Sequence, residues 1–170
     1  MLIAAMNPCP CGYYGQKKCR CTDYEVLKYQ QRISGPIFDR MDLQKFVHPV
    51  DFIELSTQNL GKTSAELRER VEFTRNIQKA RFAQVEKVNC NAQMTASLIR
   101  EFCVLESEGR RLLKMAYDRF RYSARTFHKF LKVARTFADL EGAPKIRKRD
   151  IAAALLARDL DKELRSMLVI

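Results

Sequence analysis

Four cysteines fall in one thirteen-residue stretch, as Cys9-x-Cys11 and, seven residues on, Cys19-x-Cys21. Four thiolates on a short hairpin can close a tetrahedron around Zn²⁺ and staple a loop that has little else to hold it. Four sulfurs leave no open position for a reacting water, so such a site is structural rather than catalytic. Reduced thiols that pack the loop, or stand poised for oxidation, are the alternative reading. Cys90 and Cys103 lie apart from the cluster and read as ordinary core or surface thiols.

Three further side chains have chemistry to offer. Asn7 ends the apolar run Leu2 to Met6, which puts an amide at the carboxyl end of a strand, where open α/β sheets place ligands. Arg40 stands on a turn between Asp39 and Asp42. It is either a guanidinium available to an anion or one partner of a surface ion pair, typically worth less than about 1 kcal/mol. Arg125, two positions after a helix cap at Ser123, projects from the leading end of its helix, or is simply a solvated charge. The cysteine loop also carries Lys17, Lys18 and Arg20 beside Tyr13 and Tyr14. Cations mixed with aromatic faces suit backbone or single-stranded nucleic-acid contact, with a solvated basic loop as the bland alternative. Gly61-Lys62-Thr63 mimics the tail of a phosphate loop, but position 56 is Ser56 rather than the required glycine, and no apolar strand feeds into it. No apolar run ending in paired acids offers a carboxylate pair for magnesium.

The elements that must position these groups are mostly helical. Leu2 to Met6 reads as a buried parallel strand, and Leu43 to Val50 as a second strand bounded by Pro49. Asp23 is expected to cap a helix running to about Ile33, stopped by Gly35-Pro36. Thr63-Ser64-Ala65-Glu66 is a capping box, so a long, largely solvated helix starts there and runs to about Val85. Beyond Asn89 the pattern predicts helices over Thr95 to Cys103, Ser107 to Phe120, Ser123 to Leu140 and Arg149 to about Met167. In the third, Phe127, Phe130, Leu131, Ala134, Phe137 and Ala138 follow helical spacing before the Gly142 and Pro144 stop. The expected fold is mainly α with a small α/β part. Residues 1–57 would be the end of an α/β core with its cysteine-rich loop, and 58–170 a linking helix and a helical bundle.

Composition narrows the partners. The 170 residues are 46% apolar, enough for a core, and 31 basic against 20 acidic residues give a net charge of +11, which favours polyanions. No stretch approaches the roughly 18 apolar residues of a membrane span, and no signal peptide is evident, so a cytoplasmic location with reduced thiols is the default. A strand that opens the chain lacks neighbours, so the polypeptide reads as a fragment of a larger protein.

Several stretches together resemble the magnesium-chelatase-like branch of AAA+ ATPases, of the YifB/ComM type. They are Leu2 to Tyr14, Cys19 to Cys21, Arg32 to Leu43, Asn91-Ala92-Gln93 and Ser123 to Leu140. The resemblance implies a truncated AAA+ core followed by a helical lid domain, and a role for each candidate. Asn7 would be the first sensor, orienting the attacking water. Arg40 would be an arginine finger serving the adjacent subunit. Arg125 would be the second sensor, carried by the lid and touching bound phosphates. ATP and Mg²⁺ would bind a phosphate loop and acidic strand lying upstream, so this stretch alone would not hydrolyse ATP. The assembly implied is a homo-oligomeric ring, a hexamer, that moves DNA in branch migration during recombination of incoming DNA. A magnesium-chelatase ATPase subunit is the alternative, and a zinc-stabilised nucleic-acid-binding adaptor without ATPase activity is a third.

Overall fold

The computed structural model describes residues 2–47, 50, 61–120 and 122–158. The chain is mostly helical and divides into two compact units, Met1–Met41 and Asp42–Ile170. Among the described residues, β structure is limited to two isolated parallel bridges.

In the first unit the expected strand Leu2 to Met6 does not form. The segment has no regular secondary structure, and Leu2 and Ile3 are exposed. A strand is defined by the neighbours that take its backbone groups, and no described segment pairs with this one. Helix α1 spans Asp23–Gln30, and its cap is Thr22, one residue before the expected Asp23. The Glu25 amide donates to the Thr22 hydroxyl at 3.3 Å while the Thr22 amide donates to the Glu25 carboxylate at 2.8 Å. The Thr22 amide and hydroxyl, both donating to that carboxylate, hold the Glu25 carboxyl below its ordinary range. Helix α1 also ends short of Ile33. Gly35-Pro36, expected as a stop, instead opens a second helix, α2 (Gly35–Arg40). Proline suits a first helical turn because its missing N–H has no partner there in any case. Arg40 therefore lies on the last turn of a helix, not on an open turn.

The second unit is built on α3 (Ser64–Arg81), α4 (Ala96–Phe102), α5 (Ser107–Phe120), α6 (Ala124–Leu140) and α7 (Lys148–Leu156), with a short 3₁₀ helix at Asn91–Gln93. Thr63 and Glu66 form the anticipated capping box of α3, and Thr95 and Ser123 cap α4 and α6. Helix α6 is the spine, packed by α7, α3, α4 and the 3₁₀ helix. Its stripe of Phe130, Leu131, Ala134 and Ala138 is buried, and Phe127 and Phe137 flank it. It ends as a Schellman motif. Gly142, at φ +62°, donates to the Asp139 carbonyl, and the Ala143 amide donates to the Ala138 carbonyl. Helix α3 ends at Arg81, short of Val85. Of the expected strand Leu43 to Val50, the described residues show a bridge from Gln44 to Arg158, with the Gln44 amide donating to the Ala157 carbonyl at 2.7 Å. His48 and Pro49 lie outside the described residues; the helix expected over Arg149 to about Met167 stops at Leu156, because Arg158 leaves it to bridge with Gln44, and positions 159–167 lie outside the described residues.

A buried ionic knot ties these helices together, and sequence reading did not anticipate it. Asp139, fully buried on α6, accepts from both terminal nitrogens of Arg81, from Arg135 Nε at 3.0 Å and from Asn91 Nδ2 at 2.7 Å. Arg81 also donates to Asn91 Oδ1 at 2.8 Å, and Arg135 reaches the carbonyls of Pro144 and Ala143. One carboxylate thus holds the end of α3, the 3₁₀ helix and the loop after α6. Removing one partner of such a set leaves charge buried without compensation, at about 3–5 kcal/mol. Asp139→Ala is expected to lower the stability of the second unit by that amount in urea denaturation. Asp139→Ala combined with Arg135→Met should recover part of the loss, because one unpaired cation goes with its partner. Equal midpoints for wild type and Asp139→Ala would contradict this reading.

Candidate metal centre and phosphate-facing residues

The hairpin that carries the cysteines is shaped by turns. The Gly12 amide donates to the Cys9 carbonyl at 3.0 Å, the Gln16 amide to Tyr13 and the Cys19 amide to Gln16. Gly12 sits at φ +82°, which a side-chain-bearing residue rarely adopts. Helix α1 is tied to the same loop by Gln30, whose side-chain amide donates to the Pro8 carbonyl at 3.1 Å.

This folding brings all four sulfurs together, within 4.8 Å of one another. The separations are 3.4 Å for Cys9 to Cys11, 3.7 Å for Cys11 to Cys19 and 4.0 Å for Cys9 to Cys19. A zinc ion with Zn–S bonds of about 2.3 Å needs sulfurs about 3.8 Å apart at the corners of a regular tetrahedron. The observed edges bracket that value. Backbone amides surround the sulfurs as well. The N–H groups of Arg20 and Tyr13 pull the Cys11 thiol down to about 6. Cys21 receives the Cys11 N–H, which lowers it, but desolvation and the neighbouring sulfurs outweigh that donor and push it up to about 12. Cys19 is raised for the same reasons, against the Cys21 N–H. Four sulfurs this close cannot all ionise by themselves; a divalent cation removes the conflict. Cys103 is a different case: it is buried in the second unit and pushed up to about 11, chiefly by desolvation.

Asn7 lies two residues before Cys9, exposed, with its side chain 3.7 Å from the point a Cβ at Gly12 would occupy. Lys17, Lys18 and Arg20 are exposed on the hairpin, and Arg20 contributes its amide to Cys11. Arg40 is exposed at the end of α2, with Nη1 donating to the Pro36 carbonyl one turn back at 3.0 Å. Of its two flanking acids, Asp42 is engaged by Lys129 at 3.3 Å. Arg125 is exposed in the first turn of α6, and among the described residues its side chain has no hydrogen bond or ion pair. The first unit therefore holds Asn7, the four cysteines, the basic hairpin and Arg40, while the second holds Arg125. Asn91, part of the Asn-Ala-Gln string, serves the ionic knot. The signal for that knot was the spacing of Arg135 and Asp139 one turn apart beside an apolar stripe. No described helix is long and apolar enough to cross a membrane.

Residues 61–158 match the family model described as magnesium chelatase, subunit ChlI C-terminal, and residues 1–55 match that of magnesium chelatase, subunit ChlI. Similar curated proteins include competence protein ComM of Haemophilus influenzae, 35% identical over 98% of this chain and 32% of its own length. The uncharacterized protein YifB of Escherichia coli is 37% identical over 96% of this chain and 31% of its own length. YifB of Salmonella typhimurium is 35% identical over the same shares. The chain spans about a third of the length of these relatives. With its helical unit matched along residues 61–158, the chain belongs to the magnesium-chelatase ChlI family, among relatives of the ComM and YifB kind.

Proposed function

We propose that this polypeptide is the C-terminal part of a ring-forming AAA+ ATPase that drives DNA branch migration in the cytoplasm, with ATP and Mg²⁺ bound upstream of the residues present here. The observation that carries the reading is Arg40. It is an exposed guanidinium at the end of a short helix, its Nη1 donating to the Pro36 carbonyl, while the neighbouring Asp42 pairs with Lys129. In this reading its planar fork meets the phosphates of a neighbouring subunit. In the proposed division of labour Asn7 orients the attacking water, Arg40 neutralises charge spreading onto the phosphoryl oxygens, and Arg125 senses nucleotide state from the lid. Cys9, Cys11, Cys19 and Cys21 hold Zn²⁺, which fixes the hairpin, and Lys17, Lys18 and Arg20 meet the DNA backbone. A chelatase subunit is less well supported, because a protein partner has no use for a net charge of +11 or a basic cysteine hairpin.

The full-length protein is expected to form hexamers and to move four-way DNA junctions only with hydrolysable ATP. Junction binding should weaken steeply with salt, as counterions compete for the phosphates. Gel-resolved junction turnover checks this. ATP hydrolysis indifferent to DNA, with no junction movement, would return the chelatase reading.

A further inference from the structure

A cavity of about 380 Å³ opens between α5 and α6, lined by Leu105, Leu113, Tyr117, Ala124 and Phe127, with Arg110 and Lys114 also on its wall. Its volume falls in the range of about 300–1,000 Å³ typical of small-ligand sites. Tyr117 and Phe127 meet edge to face, with centroids 5.9 Å apart and planes at 86°, and Tyr117 is 40% exposed. Arg110 and Lys114 lie one helical turn apart on α5. Both are exposed, and among the described residues neither side chain has a hydrogen bond or ion pair. Of the two acids on this helix, Glu108 pairs with Lys148, and Asp118 lies one turn beyond Lys114. The apolar, aromatic wall of the cavity thus lies beside two exposed cations.

We propose that this slot takes one nucleotide of a single-stranded nucleic acid, its base against Tyr117 and its flanking phosphates on Arg110 and Lys114. An apolar ligand would leave both cations without an anion, and an inorganic anion would leave the aromatic wall unused; a nucleotide satisfies both. The two cations are staggered along α5 by one turn, about 5.4–6 Å. That arrangement suits successive phosphodiesters better than a triphosphate, whose charge converges on one point. This contact lies in the helical unit, apart from the cysteine hairpin, and needs no ATP. It therefore stands or falls separately from the ATPase reading.

The test is fluorescence anisotropy of the full chain with labelled dT12, with ATP as an unlabelled competitor. Tyr117→Ala should weaken dT12 binding about fivefold or more, the loss of one stacked base. Arg110→Gln with Lys114→Gln should weaken it and make the slope of log affinity against log salt shallower by about 1.4, two single-strand phosphates. Ala124→Trp, which fills the slot from the surface without removing a charge, should also block binding and guards against misfolding of the other variants. If all three bind as wild type while Lys17→Gln with Lys18→Gln loses binding, the hairpin is the contact and the slot proposal is overturned. Displacement of dT12 by an equal concentration of ATP would overturn it too, in favour of a mononucleotide site.

Discussion

In the full-length protein, Arg40→Ala is expected to cut ATP turnover by about 10³–10⁵, the range over which an arginine finger acts, while leaving ATP binding nearly intact. The size follows from where the charge would act. A guanidinium fork that meets the phosphoryl oxygens as negative charge spreads onto them stabilises the transition state more than the bound substrate. The local cost to folding is small, because the hydrogen bond from Arg40 to the Pro36 carbonyl is exposed, and a typical hydrogen bond contributes only about 1 kcal/mol. Arg40→Lys should recover little, since an ammonium keeps the charge but not the fork. The trans placement has its own readout. Subunits carrying Arg40→Ala, mixed with subunits lacking the phosphate-loop lysine, should regain hydrolysis, because an intact pocket then faces an intact finger. Full turnover in Arg40→Ala rings would reduce this residue to a helix-end charge.

What could be read from sequence divides along the range of the interactions. The capping box at Thr63 and the apolar stripe of α6 are set by residues three and four apart, and both are present as expected. Thr22 and Glu25 carry the same local signal; placing the cap at Asp23 overlooked it. The strand Leu2 to Met6 was misread because an apolar run specifies burial but not the partners that would make it a strand. The segment Leu43 to Val50 failed in a related way, since the pairing found among its described residues is with Arg158, far along the chain. The ionic knot joins Arg81 to Asp139 across 58 residues, a distance over which no spacing rule operates. At the candidate site the cysteines were legible because four residues of one type cluster within thirteen positions, and their sulfurs lie within 4.8 Å of one another. The cation-lined slot was not, because Arg110, Lys114 and Tyr117 meet Ala124 and Phe127 only once α5 and α6 pack.

Withdrawing zinc should unfold the first unit and spare the second. Among the described residues of Met1–Met41, Cys9 and Val26 are the buried apolar side chains. A unit of this size ordinarily needs a metal, disulfides or a partner to stay folded, and its cysteines are free thiols. Structural zinc contributes about 10–16 kcal/mol to small zinc-folded peptides, far more than so small a core can supply. The second unit has its own core around Phe130, Ile146 and Ile151 and its own ionic knot, so its unfolding does not depend on the metal. Reduced protein should therefore contain one zinc per chain. A strong chelator should abolish amide-exchange protection from Cys9 to Gln30 while the denaturation midpoint of the helical unit stays where it was. Cys9→Ser with Cys19→Ser should reproduce the chelated state, whereas Cys90→Ser should keep the metal. Metal content near zero in the reduced wild type, or unchanged hairpin protection after chelation, would mean that thiol packing alone holds the loop.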